Sequence, residues 1–157
     1  MGLVVRLIAC MKKIILITIT AVLVSCNSQK TDFELCGLGI KVMPYYFTGL
    51  KYDGEIYKIE KELKKQWIIP KTNNNGIAKV RFKVNCHGDI GDLHYQEYDT
   101  NYIQTQLNDS IEIQLMKSVS ELSDWITGVD DDGKACNSHS FLSFRIENGH
   151  IIEILPK

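Results

Sequence analysis

The chain has 157 residues, of which 45% are hydrophobic, 24% charged and 9% aromatic. That suits one globular domain and leaves little room for a second. Eleven Gly against three Pro exclude a collagen-like or mucin-like chain, and a formal net charge of −1 gives no basic footprint for nucleic acid.

The N-terminal segment reads as an address. Lys12 and Lys13 form a charged start, and Ile14 to Val24 form an apolar run of signal-peptide length, too short for a comfortable membrane span. The run ends in Leu23-Val24-Ser25-Cys26, which resembles the lipobox of bacterial lipoproteins. The resemblance implies cleavage before Cys26 and a covalent diacylglyceryl lipid on its thiol, so residues 1–25 are expected to be a signal peptide. Residues 1–10 are expected to stem from an upstream start, with Met11 the real one. Cleavage removes three basic side chains (Arg6, Lys12 and Lys13) and no acidic one, so the mature chain is the more acidic. Several acyl chains hold a protein durably on a membrane. Asn27, rather than an aspartate, follows Cys26, which implies the outer membrane in preference to the inner.

Residues 26–52 are expected to be the lipidated cysteine, a polar tether and an arm, with one short strand around 38–43. The domain proper is expected over 53–157. Ile56, Ile59, Leu63 and Trp67 recur at spacings of three, four and four, which predicts a helix over 55–67 that Pro70 follows. The run of asparagines before Gly76 is a turn signal. Ala78, Val80, Phe82, Val84 and Cys86 alternate with Lys79, Arg81 and Lys83, which predicts a half-buried strand over 77–86. His87-Gly88-Asp89 turns the chain, and residues 90–98 return as the second strand of a hairpin. A second helix starts at Asn108 or Asp109 and runs to about Leu122, with Ile111, Leu115, Val119 and Leu122 on its apolar stripe. A polar loop follows Trp125. Ser140 to Ile146 alternates as a strand, Asn148-Gly149 is a hairpin dipeptide, and 150–155 is the closing strand. The expected fold is α+β in the order α-β-β-α-β-β: an antiparallel sheet of three to four strands with both helices on one face.

Five cysteines are present. Cys10 leaves with the signal and Cys26 carries the lipid, so Cys36, Cys86 and Cys136 remain in a compartment that permits disulfides. Any one pair leaves a free thiol. There is no CxxC and no zinc-type Cys/His spacing, so no metal ligand set is assigned. Cys86-His87 as nucleophile and base is not expected, because neighbours in a strand point to opposite faces. Asp130-Asp131-Asp132-Gly133 lacks the EF-hand spacing: position 128 is glycine and the distal glutamate is missing. The four histidines (87, 94, 139 and 150) are scattered. Asp92, Glu97 and Asp99 form no partnered acid/base pair. No nucleotide fingerprint or nucleophile elbow occurs. Beyond the covalent lipid, no catalytic residue and no cofactor is expected.

The helix before Gly76, the strand Val80 to Val84, the Gly88 turn, the second helix with Trp125, and the strand Phe141 to Ile146 together resemble the C-terminal domain of TonB. The pattern resembles especially the TonB-like domains of Bacteroidetes-type proteins, over about residues 50–157. In that family the strand after the second helix lies antiparallel beside the first strand. This implies that Cys86 lies near Cys136, and that they form a disulfide while Cys36 stays free. The usual proline shortly after the tryptophan is absent, as are a proline-rich segment and a membrane helix of the TonB kind, so energy transduction is not implied. What the resemblance does imply is recognition of an extended peptide or envelope protein by strand addition to a sheet edge, at 90–98 or 150–155. The chain is therefore expected to be a lipid-anchored, non-catalytic envelope protein. The alternatives are a self-associating homodimer, an immunity or inhibitor lipoprotein, or a small enzyme with a polar pocket.

Overall fold

The computed structural model describes residues 33–37, 41–71 and 74–156, which belong to one compact unit, Phe33–Lys157. The signal segment, Cys26 and the tether up to residue 32 lie outside the described residues.

Ten elements follow in order: β1 (Val42–Pro44), α1 (Tyr45–Thr48), β2 (Lys51–Tyr52), α2 (Glu55–Gln66), β3 (Gly76–Val84), β4 (Ile90–Tyr98), α3 (Asp109–Ser120), β5 (Trp125–Ile126), β6 (Asn137–Glu147) and β7 (His150–Leu155). The architecture is α+β, as expected. The sheet departs from the expectation. It is mixed and five-stranded rather than antiparallel with three or four strands, and a second sheet pairs β2 with β5. The described residues hold three helices rather than two, the extra one a single turn. The expectation fell short because β1, α1, β2 and β5 are too short to show a hydrophobic period.

Local chemistry explains the longer elements. Ile59 and Leu63 of α2 are buried, while its Lys and Glu face out. Trp67 ends that helix and its indole N–H donates to the Gly149 carbonyl (3.0 Å). Asn108 caps α3 by accepting from the Ser110 amide. Ile111, Leu115 and Val119 form its buried stripe. Asn148 and Gly149 both take positive φ (50° and 76°), the geometry that a two-residue hairpin between β6 and β7 requires.

β3 and β6 form the centre of the sheet, paired antiparallel from Gly76↔Ile146 to Val84↔Ser138. Their even-numbered side chains enter the core with α2 and α3; Phe82 and Phe144 are its largest fully buried members. The odd-numbered residues stand on the opposite face: Lys79, Arg81 and Lys83 on β3, and His139, Phe141 and Arg145 on β6. Lys79 Nζ lies over the Phe141 ring at 4.1 Å.

Candidate functional site

Two places on the molecule carry more chemistry than packing requires. One is the end of the sheet where the arm docks; the other is an interruption in the partners of β6.

At the arm, Cys36 is joined to Cys86, 50 residues away, and Cys136 is a free, half-buried thiol. This corrects the expected Cys86–Cys136 pairing with Cys36 free. The expected strand arrangement is present, since Val84 lies opposite Ser138. The ladder stops there, because Asn85 turns the chain with its own side chain. Its Oδ1 accepts from the backbone amides of His87 and Asp89 (both 2.9 Å), and its backbone N–H donates to the Asp89 carbonyl. Cys86 therefore sits in a turn rather than continuing a strand toward residue 136, whose amide donates instead to the Gly128 carbonyl. The arm fills the vacated position. Asn85 Nδ2 donates to the Glu34 carbonyl (3.0 Å). Asn137 accepts from the Cys36 amide (2.9 Å) and donates to the Cys36 carbonyl (2.8 Å). Phe33 packs so closely on Gly91 that any Cβ there would collide with its ring. Asn85 and Asn137 are only 4% and 3% exposed, so their amides are sequestered for this task.

At the second place, β6 has β3 along one side for its whole described ladder. Along the other side, β1 pairs in parallel with residues 137–139 and β7 pairs antiparallel with residues 143–147. Among the described residues, Ser140, Phe141 and Leu142 have no strand partner on that side. A cavity of about 260 Å³ opens there, walled by Tyr45, Tyr52, Ile56, Trp125, Phe141 and Pro156. Its aromatic walls brace one another: Tyr45 meets Phe141 edge-on, and Trp125 lies 5.0 Å from both Tyr52 and Phe82. Burial and a hydrogen bond to Glu62 push the Tyr52 phenol up to about 12. Trp125 Nε1 is buried with no acceptor among the described residues. Lys51 and Glu55 are the charged groups in the lining.

The outer edges differ. Arg81 pairs with His94 but Lys83 with Gly91, so β4 carries a bulge at Asp92–Leu93, with Asp92 at φ 51°. Asp92 accepts from Lys83 Nζ (2.6 Å), and this contact above all holds its carboxyl below the usual range; His94 is on its other oxygen at 3.0 Å. The far end of β4 is covered where the Thr105 amide donates to the Glu97 carbonyl. A bulge, charges and a covering loop are the devices that keep an edge from pairing. Of the two edges read from the sequence, 90–98 is thus guarded. In β7, Ile152 and Leu155 are exposed.

The remaining singled-out residues hold structural positions. The Asp130 carboxylate accepts from the Asp132 and Lys134 amides and shapes its own turn. Glu97 accepts from the Tyr95 hydroxyl, whose ionisation is driven up by burial first and by Glu97 second. The Asp99 carboxylate accepts from the Asn101 and Ile103 amides. His139 stands exposed on β6 opposite Lys83, while His87 occupies the turn beside Cys86. The β6 interruption was not legible in the sequence, where Ser140 to Leu142 are three ordinary residues of an alternating strand.

No protein-family model matches this chain, and no curated protein and no solved structure matches it.

Proposed function

We propose that the chain is a lipid-anchored, non-catalytic protein of the cell envelope, with a TonB C-terminal-like domain that binds an extended peptide by strand addition. The observation that carries this reading is the unpaired Ser140–Leu142 stretch of β6, with the aromatic cavity beside it. Three residues of strand span about 10 Å, which a tripeptide in extended form matches. Its backbone would complete the ladder between β1 and β7, and one large apolar side chain would fill the cavity. The guarded state of β4 supports the interior gap over that edge. The occupant is therefore a short, extended, apolar segment of an envelope protein. The lipid on Cys26 would confine the domain to a membrane surface and raise its effective concentration toward partners there.

Peptide display against the purified protein tests the binding site. Selected peptides are expected to be apolar, to slow amide exchange at Ser140–Leu142, and to lose roughly tenfold or more in affinity to Phe141→Glu. Peptides that bind equally well to Phe141→Glu, or a failure to select any, would overturn it.

A further inference from the structure

The face of the sheet opposite the helices is basic where β3 crosses it. Lys79, Arg81 and Lys83 stand there, with His94 of β4 and Phe141 of β6 flanking Arg81 in register. The carboxylates of this face are already engaged. Asp92 holds Lys83, Glu147 holds Arg145, and Glu153 lies opposite Arg145. Among the described residues no ion pair engages Lys79 or Arg81, and Arg81 is exposed. Two cations are thus left unneutralised on a chain whose formal net charge is −1.

Two further observations say what such a face meets. Rings run outward from it in contact: Phe141 with Tyr45, Tyr45 with Tyr46, and Tyr46 with Phe47. Tyr46 and Phe47 are 66% and 70% exposed. Exposed aromatics beside basic groups are the composition of a membrane–water interface. The arm also starts on this face. Gly91 lies opposite Lys83, and residues directly opposite each other share a face of the sheet. A Cβ on Gly91 would strike the Phe33 ring, so that ring sits on the basic side. Six residues, 27–32, join Phe33 to Cys26, and an extended chain of that length reaches about 25 Å at most. The α2 helix also exposes lysines, Lys61 and Lys65, but on the far side of the core from Phe33.

We propose that the open face of the sheet is a membrane-contact surface. Lys79, Arg81 and Lys83 meet the headgroups of a bilayer that carries anionic phospholipid, and Tyr46 and Phe47 enter its interface. This rests on the lipid anchor proposed above, which brings the face to the bilayer; the face then sets the orientation. Each basic residue near an anionic surface favours contact by about fivefold. The helices α2 and α3 point away from the membrane.

Lysine footprinting tests this. The lipidated protein from membranes is placed on phosphatidylcholine vesicles with and without phosphatidylglycerol, and acetylation is read at each lysine. With phosphatidylglycerol, Lys79 and Lys83 are expected to react about fivefold or more slowly, while Lys61 and Lys65 keep their rates. Salt at about 1 M should restore the rates by screening. Arg81→Glu should weaken the protection of Lys79 and Lys83 without releasing the protein. Flotation with the neutral vesicles reports the anchor separately. A protein that floats with them, but whose Lys79 and Lys83 react equally on both vesicles, keeps its anchor and refutes the contact surface. Slowing at Lys61 and Lys65 instead would put α2 against the membrane and refute it as well. Protection that is present before vesicles are added, and traced to a co-purified acidic protein, would give the face to that partner. A protein that does not float with neutral vesicles has no anchor, and the proposal falls with that reading.

Discussion

The side-chain amide of Asn137 grips both backbone polar groups of Cys36, accepting from its N–H and donating to its carbonyl across 101 residues of sequence. A side chain thereby stands in for a strand neighbour. It fastens an arm with no strand of its own at residues 33–36. Asn137→Ala should cost about 2–3 kcal/mol, two hydrogen bonds with their buried partners left unmet. Denaturant unfolding of variant and wild type measures this, and a change under about 0.5 kcal/mol, the range of an ordinary surface substitution, would show the amide to be dispensable.

The disulfide closes a loop of 50 residues. On the chain-entropy account such a loop is worth up to about 4 kcal/mol. Cys36→Ser is therefore expected to lower stability by roughly 2–4 kcal/mol, and Cys136→Ser to change it little. Peptide mapping under non-reducing conditions should recover the 36–86 linkage. Recovery of 86–136 instead would restore the pairing implied by the TonB resemblance.

Phe82 and Phe144 fill the centre of the core from adjacent strands. Replacing either by Ala should cost about 3–5 kcal/mol. Arg81, between them in register but on the wet face, should tolerate Ala within about 0.5 kcal/mol. Thermal denaturation of the three variants distinguishes the two faces directly; equal losses would contradict the burial pattern.

Asp92 depends on Lys83. The hydrogen bond from Lys83 is the largest cause holding the Asp92 carboxyl below its ordinary 3.8. A carboxyl with a folded pKa below its unfolded one adds stability that is fully present above the unfolded value. That stability is lost as pH falls through the folded value. The contribution is at most about 1 kcal/mol, since both side chains are roughly one-third exposed. Lys83→Met should return Asp92 to the ordinary carboxylate range in a carbon-13 NMR titration. An unchanged titration would assign the depression to another cause.

The proposed lipid anchor is tested by intact mass of the protein taken from membranes. A chain beginning at Cys26 with added acyl mass is expected, and Cys26→Ala should release the protein into the soluble fraction. A chain that keeps residues 1–25 without lipid would remove the envelope reading and the proximity argument that rests on it.

The sequence by itself determined what depends on neighbours within a few residues. The periodicity of Ile56 to Leu63 and of Ile111 to Val119 marked both long helices, alternation from Ala78 to Val84 sorted the faces of β3, and Asn148-Gly149 marked its hairpin. These features are local: a side chain's face follows from the backbone period alone. Tertiary structure decided the rest. β1 joins β6 in parallel and Lys51–Tyr52 meets Trp125–Ile126, pairings of segments too short to carry a period. Cys86 bonds to Cys36 and Cys136 stays free, because Asn85 ends the strand and two buried amides hold the arm in place. Among the described residues, the gap at Ser140–Leu142 lies where β1 stops at Pro44 and β7 at Leu155. Such choices are settled by which distant backbone groups find partners, and nothing in a local pattern encodes them.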